Sequence, residues 1–338
     1  MTLLLTRSDI LAALDVSTAL AALRAGFLQS ADIEPLRIRT DLPAPGTATT
    51  LLPGLIPGIP AYTVKVNAKF PDASPALRGI VCLHDLTDGT LLAVLDSTTI
   101  TAWRTGLAAA LATHLLALPG ASTTNPAGTT DTPGPSPVGA AGGIGGGRGL
   151  VVGVVGAGVQ AGMVVGGLAE LRGVRGLVVY DLDPERSVEF LARQGIPGSA
   201  ASSPRAVAAA ADVVVLATWS REALLTAADV RPGMQLTTLG ADEPGKVELS
   251  ADLLSAARVV VDDRTLAVGM GALGNVGLAH DAVSATLTEV LTGVAPGRRT
   301  DDEITVYAPV GLPWQDLAIA WPVFQAAQGR GQVIDFLS

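Results

Sequence analysis

LVVGVVGAGVQA, residues 150–161, decides the fold. Its first six residues, LVVGVV, are apolar and mostly β-branched, the composition of a strand covered on both faces. The glycines that follow end the strand and open a helix. Gly156, Gly158 and Ala161 stand in a GxGxxA arrangement. There the first glycine permits a tight turn, the second leaves room for a pyrophosphate, and the small third residue lets the helix approach the sheet. Amides at the helix start, with its dipole, suit an anion, so Val159 and Gln160 join the candidate cofactor-binding residues. GLVVYD (176–181) reads as the next strand and ends on Asp181, at roughly the 20-residue spacing expected of a ribose ligand. The Asp181 charge opposes a 2′-phosphate, which favours NAD. NADP stays open through Arg186 and Arg193, and Asp181 equally suits a turn before the helix at Asp183 and Pro184.

Outward from this unit the pattern stays βα. DVVVLAT (212–218), MQLTTLG (234–240) and RVVVDD (258–263) read as strands, separated by helix-compatible PRAVAAA (204–210), ALLTAADV (223–230) and SADLLSA (250–256). A helix is expected over 276–291, and a last one in WQDLAIAWPVFQAAQG (314–329) is expected to return to the first domain. Before residue 150, helices over 7–29 are expected to start at Ser8 and Ser17. YTVKVNAKF (62–70) alternates as a strand, and residues 79–96 read as a hairpin turning at Thr87, Asp88 and Gly89. A helix capped by Thr98 or Thr99 then runs through ITAWRTGLAAALATHLLAL (100–118). Residues 121–149, rich in Gly, Pro, Ser and Thr, read as a flexible insertion. The expectation is an α/β chain: a Rossmann-like domain over 150–299, beside an α+β substrate-binding and dimerisation domain over 1–120 and 300–338.

Composition removes other classes. The chain is 49% hydrophobic and 16% charged, which supports a packed core rather than disorder. Its net charge of −9, with no basic stripe, argues against nucleic acid. The apolar run at 150–168 is broken by a glycine turn, so a strand entering a helix explains it better than a membrane span. The amino terminus lacks the features of a signal peptide, and the single Cys82 fits a reducing compartment; a cytoplasmic location is expected. His84, His114 and His280 are too dispersed for a metal motif.

Several charges invite a chemical reading. Arg104 sits in the first turns of an alanine-rich helix, where the dipole repels a cation and burial strips its water. A bound carboxylate would repair both problems; exposure or an internal ion pair is the alternative. Lys65 and Lys69 share one face of their strand, Lys65 deeper in the apolar alternation and Lys69 beside PDASP. Either suits a carboxylate or a proton exchange, and either suits a surface charge with a buried stem. Asp242 follows the carboxyl end of a strand, the side of such a sheet that faces the cofactor crevice, although Asp before Glu-Pro-Gly also makes an Asx turn. Thr218, Trp219 and Ser220 end another such strand and are candidates to line the nicotinamide.

Taken together, EPLRIRTDLP (34–43), YTVKVNAKFP (62–71), TAWRTG (101–106), GAGVQA (156–161), GADEPGKVEL (240–249) and EITVYAPVGLPWQDLAIA (303–320) resemble the ornithine cyclodeaminase and mu-crystallin family. The resemblance implies a homodimer using NAD or NADP on small amino or imino acids, by dehydrogenation, ketimine reduction or redox-neutral cyclodeamination. A family member that binds ligand without turnover is a further alternative. It also implies that Arg37 and Arg104 bind the substrate carboxylate beside Lys65, with Arg39 competing with Arg37. Asp242 would approach the amine or an attacking water and help proton transfer. Family cyclodeaminases often carry an acidic residue after VVDD; LAVGMGALGNVG (266–277) has none, which favours a small uncharged side chain or a cyclic imine. YAPVG (307–311) likewise lacks the family's usual lysine and serine.

Overall fold

The computed structural model describes residues 1–29, 36–43, 46–70, 72–118, 149–327 and 329–336. The expected insertion at 121–149 therefore lies, apart from Gly149, outside the described residues.

Sheet A is built first. The chain runs β1 (Thr2–Leu5), α1 (Arg7–Ala13), α2 (Val16–Leu28), β2 (Leu36–Asp41), β3 (Thr47–Gly54), β4 (Ala61–Lys69), β5 (Leu77–Asp85), β6 (Leu91–Asp96) and α3 (Ser97–Leu116). Sheet B follows with β7 (Leu150–Val155), α4 (Val159–Arg172), β8 (Val174–Tyr180), α5 (Pro184–Gln194), β9 (Gly198–Ala200), α6 (Pro204–Ala210) and β10 (Val213–Leu216). The remainder is β11 (Arg221–Leu225), β12 (Gln235–Thr238), β13 (Val247–Leu249), α7 (Ala251–Ala256), β14 (Arg258–Val261), α8 (Arg264–Gly269), β15 (Val283–Thr286) and α9 (Leu287–Thr292). β16 (Thr305–Tyr307), α10 (Trp314–Ala326) and β17 (Gln332–Ile334) close the chain.

Sheet B has the order β15-β14-β16-β12-β10-β7-β8-β9, with every pair parallel. Its strand order reverses between β7 and β10, the switch point where such sheets bind ligands. Sheet A has the order β17-β1-β6-β5-β4-β3-β2 and is antiparallel except for β1 beside β6. The chain end returns to sheet A: β17 pairs β1, and α10 packs on α2, α3 and β4. The boundary differs from the expected residue 300. β16 is inserted between β12 and β14, so the parallel sheet keeps the chain as far as Tyr307.

Other expectations move for local reasons. Thr6 and Asp15, not Ser8 and Ser17, cap α1 and α2 through bonds to the Asp9 and Thr18 amides. Asp96 caps α3 in place of Thr98 or Thr99, because its carboxylate accepts from both of their amides. The helix expected over 223–230 is divided instead between the end of strand β11, paired with β13, and a single 3-10 turn capped by Thr226. The helix expected over 276–291 shortens to α9, because Val283–Thr286 pairs with β14 and Thr286 forms a capping box with Glu289.

The two sheets share one apolar core through α3 and α4. α3 is buried on nearly every side, so it carries almost no amphipathic stripe. Small residues set how closely the helices approach. A Cβ on Gly106 would lie 2.3 Å from Met163 Cβ, and one on Gly167 would lie 2.6 Å from Ala110 Cβ. Gly106→Leu is therefore expected to lower stability by roughly 1–3 kcal/mol through overpacking, read as a lower urea midpoint; an unchanged midpoint would contradict this packing.

Candidate active site

Three charges from distant parts of the chain meet in the core. Lys65 enters from β4, Arg104 from α3 and Asp316 from α10, and all are buried, Lys65 at 0% exposure and Asp316 at 1%. Lys65 Nζ lies 2.7 Å from Asp316 Oδ1 and 3.3 Å from Thr101 Oγ1. Arg104 Nε lies 3.4 Å from the same Asp316 oxygen, and Arg104 Nη1 donates to Gln315 Oε1 at 3.0 Å. The guanidinium also rests against Gly311, whose φ is +96° and whose Cβ, if present, would be 2.1 Å from Arg104 Nη1. Only glycine suits that backbone and that contact together. Asp262 holds the glycine loop in place by accepting from the Val310 and Gly311 amides, and burial raises its carboxyl. Burial pulls the Lys65 ammonium down to about 7; Arg104 and Arg37 pull the same way, against Asp316.

Arg37 joins this cluster to a second one. Its Nη1 donates to Val310 O at 2.6 Å, and its Nη2 lies 3.3 Å from Asp242 Oδ2. Asp242 is also bound by Lys69 at 3.2 Å and Lys246 at 3.1 Å. Burial alone would raise this carboxyl, but Lys69, Lys246 and Arg37 hold it well below the usual carboxylate range. Glu243 shares Lys69 and Lys246, and Asn275 braces the loop by donating to Glu243 O and Lys246 O. Lys246 Nζ also stands 4.4 Å from the centroid of the half-exposed Trp219 ring.

The turn after β7 lies next to these clusters. Gly156 has φ +91°, and its Cβ would meet Ala217 O at 2.5 Å, which ties it to the loop after β10. Gly158 is the N-cap of α4 and no side chain caps that helix; a Cβ on Gly158 would meet nothing within 4 Å. Ala161 is fully buried against the sheet. An open, uncapped first turn fits a pyrophosphate. Asp181 directly follows β8 and accepts from the Ala157 amide at 2.8 Å and the Asp183 amide at 3.2 Å, with Arg186 3.8 Å away. It therefore shapes the turn as well as placing its charge there. A Cβ on Gly106 would lie 2.9 Å from Gln160 O, so the helix carrying Arg104 abuts the first turn of α4.

The structure thus brings Arg37, Lys65, Arg104 and Asp242 together, and Arg37 rather than Arg39 joins the cluster. Arg39 turns to Asp41 at 2.6 Å and lies 3.9 Å from Glu243. Thr218 and Ser220 are engaged within their own region. Thr218 donates its amide and hydroxyl to Glu248, and the Ser220 hydroxyl donates to Glu222 O. Sequence reasoning passed over Asp316, Gln315, Glu243, Lys246, Glu248 and Asp262. A signal existed for Asp316, because a lone acid in an apolar helix raises the same question as Arg104. Among the described residues no His, Cys, Asp and Glu group could hold a metal ion. Among them, too, no single helix is long and apolar enough to cross a membrane.

The family model of the ornithine cyclodeaminase/mu-crystallin family matches residues 2–129 and 146–331. The chain belongs to this family. Alanine dehydrogenase of Archaeoglobus fulgidus is 30% identical over 266 residues, covering 76% of this chain and 72% of that protein. The ketimine reductase mu-crystallin of Mus musculus is 28% identical over 254 residues, covering 75% and 71%. An archaeal alanine dehydrogenase dimer solved with bound NAD superposes with a TM-score of 0.84 at 25% identity, covering 99% of both chains.

For this family member, Asp181→Ser is expected to raise NADP binding relative to NAD by about tenfold or more, read by titration with both reduced dinucleotides. An unchanged ratio would remove Asp181 from cofactor choice.

Proposed function

We propose that the chain is an NAD-dependent oxidoreductase that interconverts a small α-amino acid and its imino acid, open-chain or cyclic. The observation that carries this reading is the buried Lys65–Asp316–Arg104 cluster, whose Arg104 sits on a helix that abuts the glycine turn at Gly156–Ala161. NAD supplies the acceptor or donor for the hydride at the substrate α-carbon. The chain's residues do the rest. Arg104 and Arg37 clamp the carboxylate, and Lys65 lies beside them, which aims the α-carbon. Lys65 can take a proton from the α-amine during oxidation and return one to the imine during reduction, because its two forms balance near neutrality. Asp242, surrounded by Arg37, Lys69 and Lys246, stays ionised and orients the amine or a water as an acceptor, a narrower role than proton carrier.

A cyclodeaminase would need an anion free to hold a distal ammonium. Asp242 and Glu243 are already taken up by lysines, and α8 with the turn after it offers no acid, which supports the net redox reading. Absorbance at 340 nm separates the two: an oxidoreductase changes it, whereas a cyclodeaminase releases ammonia with none. Binding without turnover would point instead to a ligand-holding relative.

The sign of the pH dependence follows from Lys65. Amino-acid oxidation needs the neutral amine and should rise as pH increases through about 7; imine reduction needs the ammonium and should fall over the same range. Parallel profiles in both directions would contradict Lys65 as the proton carrier.

The same reading includes a homodimer through the outer face of sheet A. Ile38, Thr50, Val66 and Ile80 lie in register across β2, β3, β4 and β5, and the three apolar members are exposed. A row of this kind suits a self-complementary interface. Val66→Glu is expected to shift sedimentation from dimer to monomer; a wild-type monomer would reject the proposal. A cytoplasmic location belongs to this reading too, and cell fractionation checks it.

A further inference from the structure

Glu248 is a buried acid with no role in the chemistry above. It lies on β13 at 1% exposure, behind the loops that end β10 and β12. Its Oε1 accepts from the Thr218 amide at 2.6 Å and the Thr218 hydroxyl at 2.8 Å. Its Oε2 accepts from the Thr238 hydroxyl at 2.7 Å and the Gly240 amide at 2.8 Å. Both oxygens are thus used, Oε1 on the loop after β10 and Oε2 on the end of β12 and the loop that follows it. The approach is so close that a Cβ on Gly240 would fall 2.4 Å from Glu248 Oε1.

What these donors carry gives the contact its meaning. Thr218 precedes Trp219, accepts from the Ser220 amide, and touches the Gly156 turn on its other side. Gly240 stands two residues before Asp242. Burial raises this carboxyl, against the pull of its hydroxyl and amide donors. Four converging donors suit a carboxylate, since a protonated acid would turn its one hydrogen, and an amide its two, toward groups that already donate. An apolar residue could fill the same space without the cost of burying a charge.

We propose that Glu248 is a positioning residue: one carboxylate locks the loop after β10 to the loop after β12, fixing Asp242 relative to the dinucleotide turn. It touches neither substrate nor dinucleotide and acts through Thr218 and Gly240. This role rests on the oxidoreductase reading, so the test separates the two.

The experiment compares the full-length wild type with Glu248→Gln and Thr238→Val. Each is titrated with NADH, then assayed with an amino acid that the wild type oxidises and with its α-deuterated form. Glu248→Gln should bind NADH within about threefold of wild type and keep KM, while kcat falls on the order of 30-fold and the isotope effect on kcat rises, because a misplaced reactant slows hydride transfer itself. Thr238→Val removes one bond of four and should move kcat and the isotope effect the same way by a smaller factor; it decides the matter if Glu248→Gln does not fold. Unchanged kcat and isotope effect in the folded variants would overturn the proposal, as would a kcat loss matched by an equal loss of NADH affinity. If the wild type turns over no amino or imino acid, the oxidoreductase reading fails on its own. Hydrogen exchange then tests the lock: the Thr218 and Gly240 amides should exchange slowly in wild type and at least about tenfold faster in Glu248→Gln, and fast exchange in the wild type would overturn it.

Discussion

Two cations and one carboxylate buried in the same core constrain everything around them. Moving such charges out of water costs several kcal/mol per ion, so each must find partners with good geometry. Lys65, Arg104 and Asp316 do this only because β4, α3 and α10 converge. That convergence explains why the chain end, after completing the parallel sheet at β16, crosses back to sheet A: it delivers the only acid in contact with the pair among the described residues. The cluster holds more positive than negative charge. A substrate carboxylate would restore the balance, which is the physical ground for placing one there.

The parallel sheet contributes edges rather than reactive groups. Asp262 anchors the loop against which Arg104 rests, and Glu248 anchors the loops that carry Thr218 and Asp242. Both acids sit behind the site and spend their oxygens mainly on backbone amides and hydroxyls. Preorganised backbone of this sort lets a site act without reorganising when charge shifts. Asp242 shows the opposite arrangement: its loop after β12 gathers Arg37 and Lys69 from sheet A and Lys246 from the loop before β13, and so ties the two halves together at the crevice.

Local pattern explains how much was legible beforehand. The strand, glycine turn and helix at 150–172 lie within one stretch of chain, and each residue type there has a single mechanical reason. Arg104 was legible because a cation near the start of an apolar helix needs an explanation within its own helix. Its partner was not, because Asp316 belongs to an element more than two hundred residues away and nothing in local spacing links them. β11 was hidden by helix-favouring residues in REALL, and only its pairing with β13 makes it a strand. Lys69 looked like a solvated flank; the loop holding Asp242 and Glu243 folds over it and gives it a place in the site.

The most direct measurement is steady-state kinetics of Arg104→Ala beside the wild type on several amino and imino acids, with NADH affinity determined for both. Loss of a buried charge-assisted contact with the substrate predicts a fall in kcat/KM of about 30-fold or more on every carboxylate substrate, near 2 kcal/mol, at unchanged NADH affinity. A folded variant that binds NADH normally and keeps wild-type kcat/KM would contradict the account.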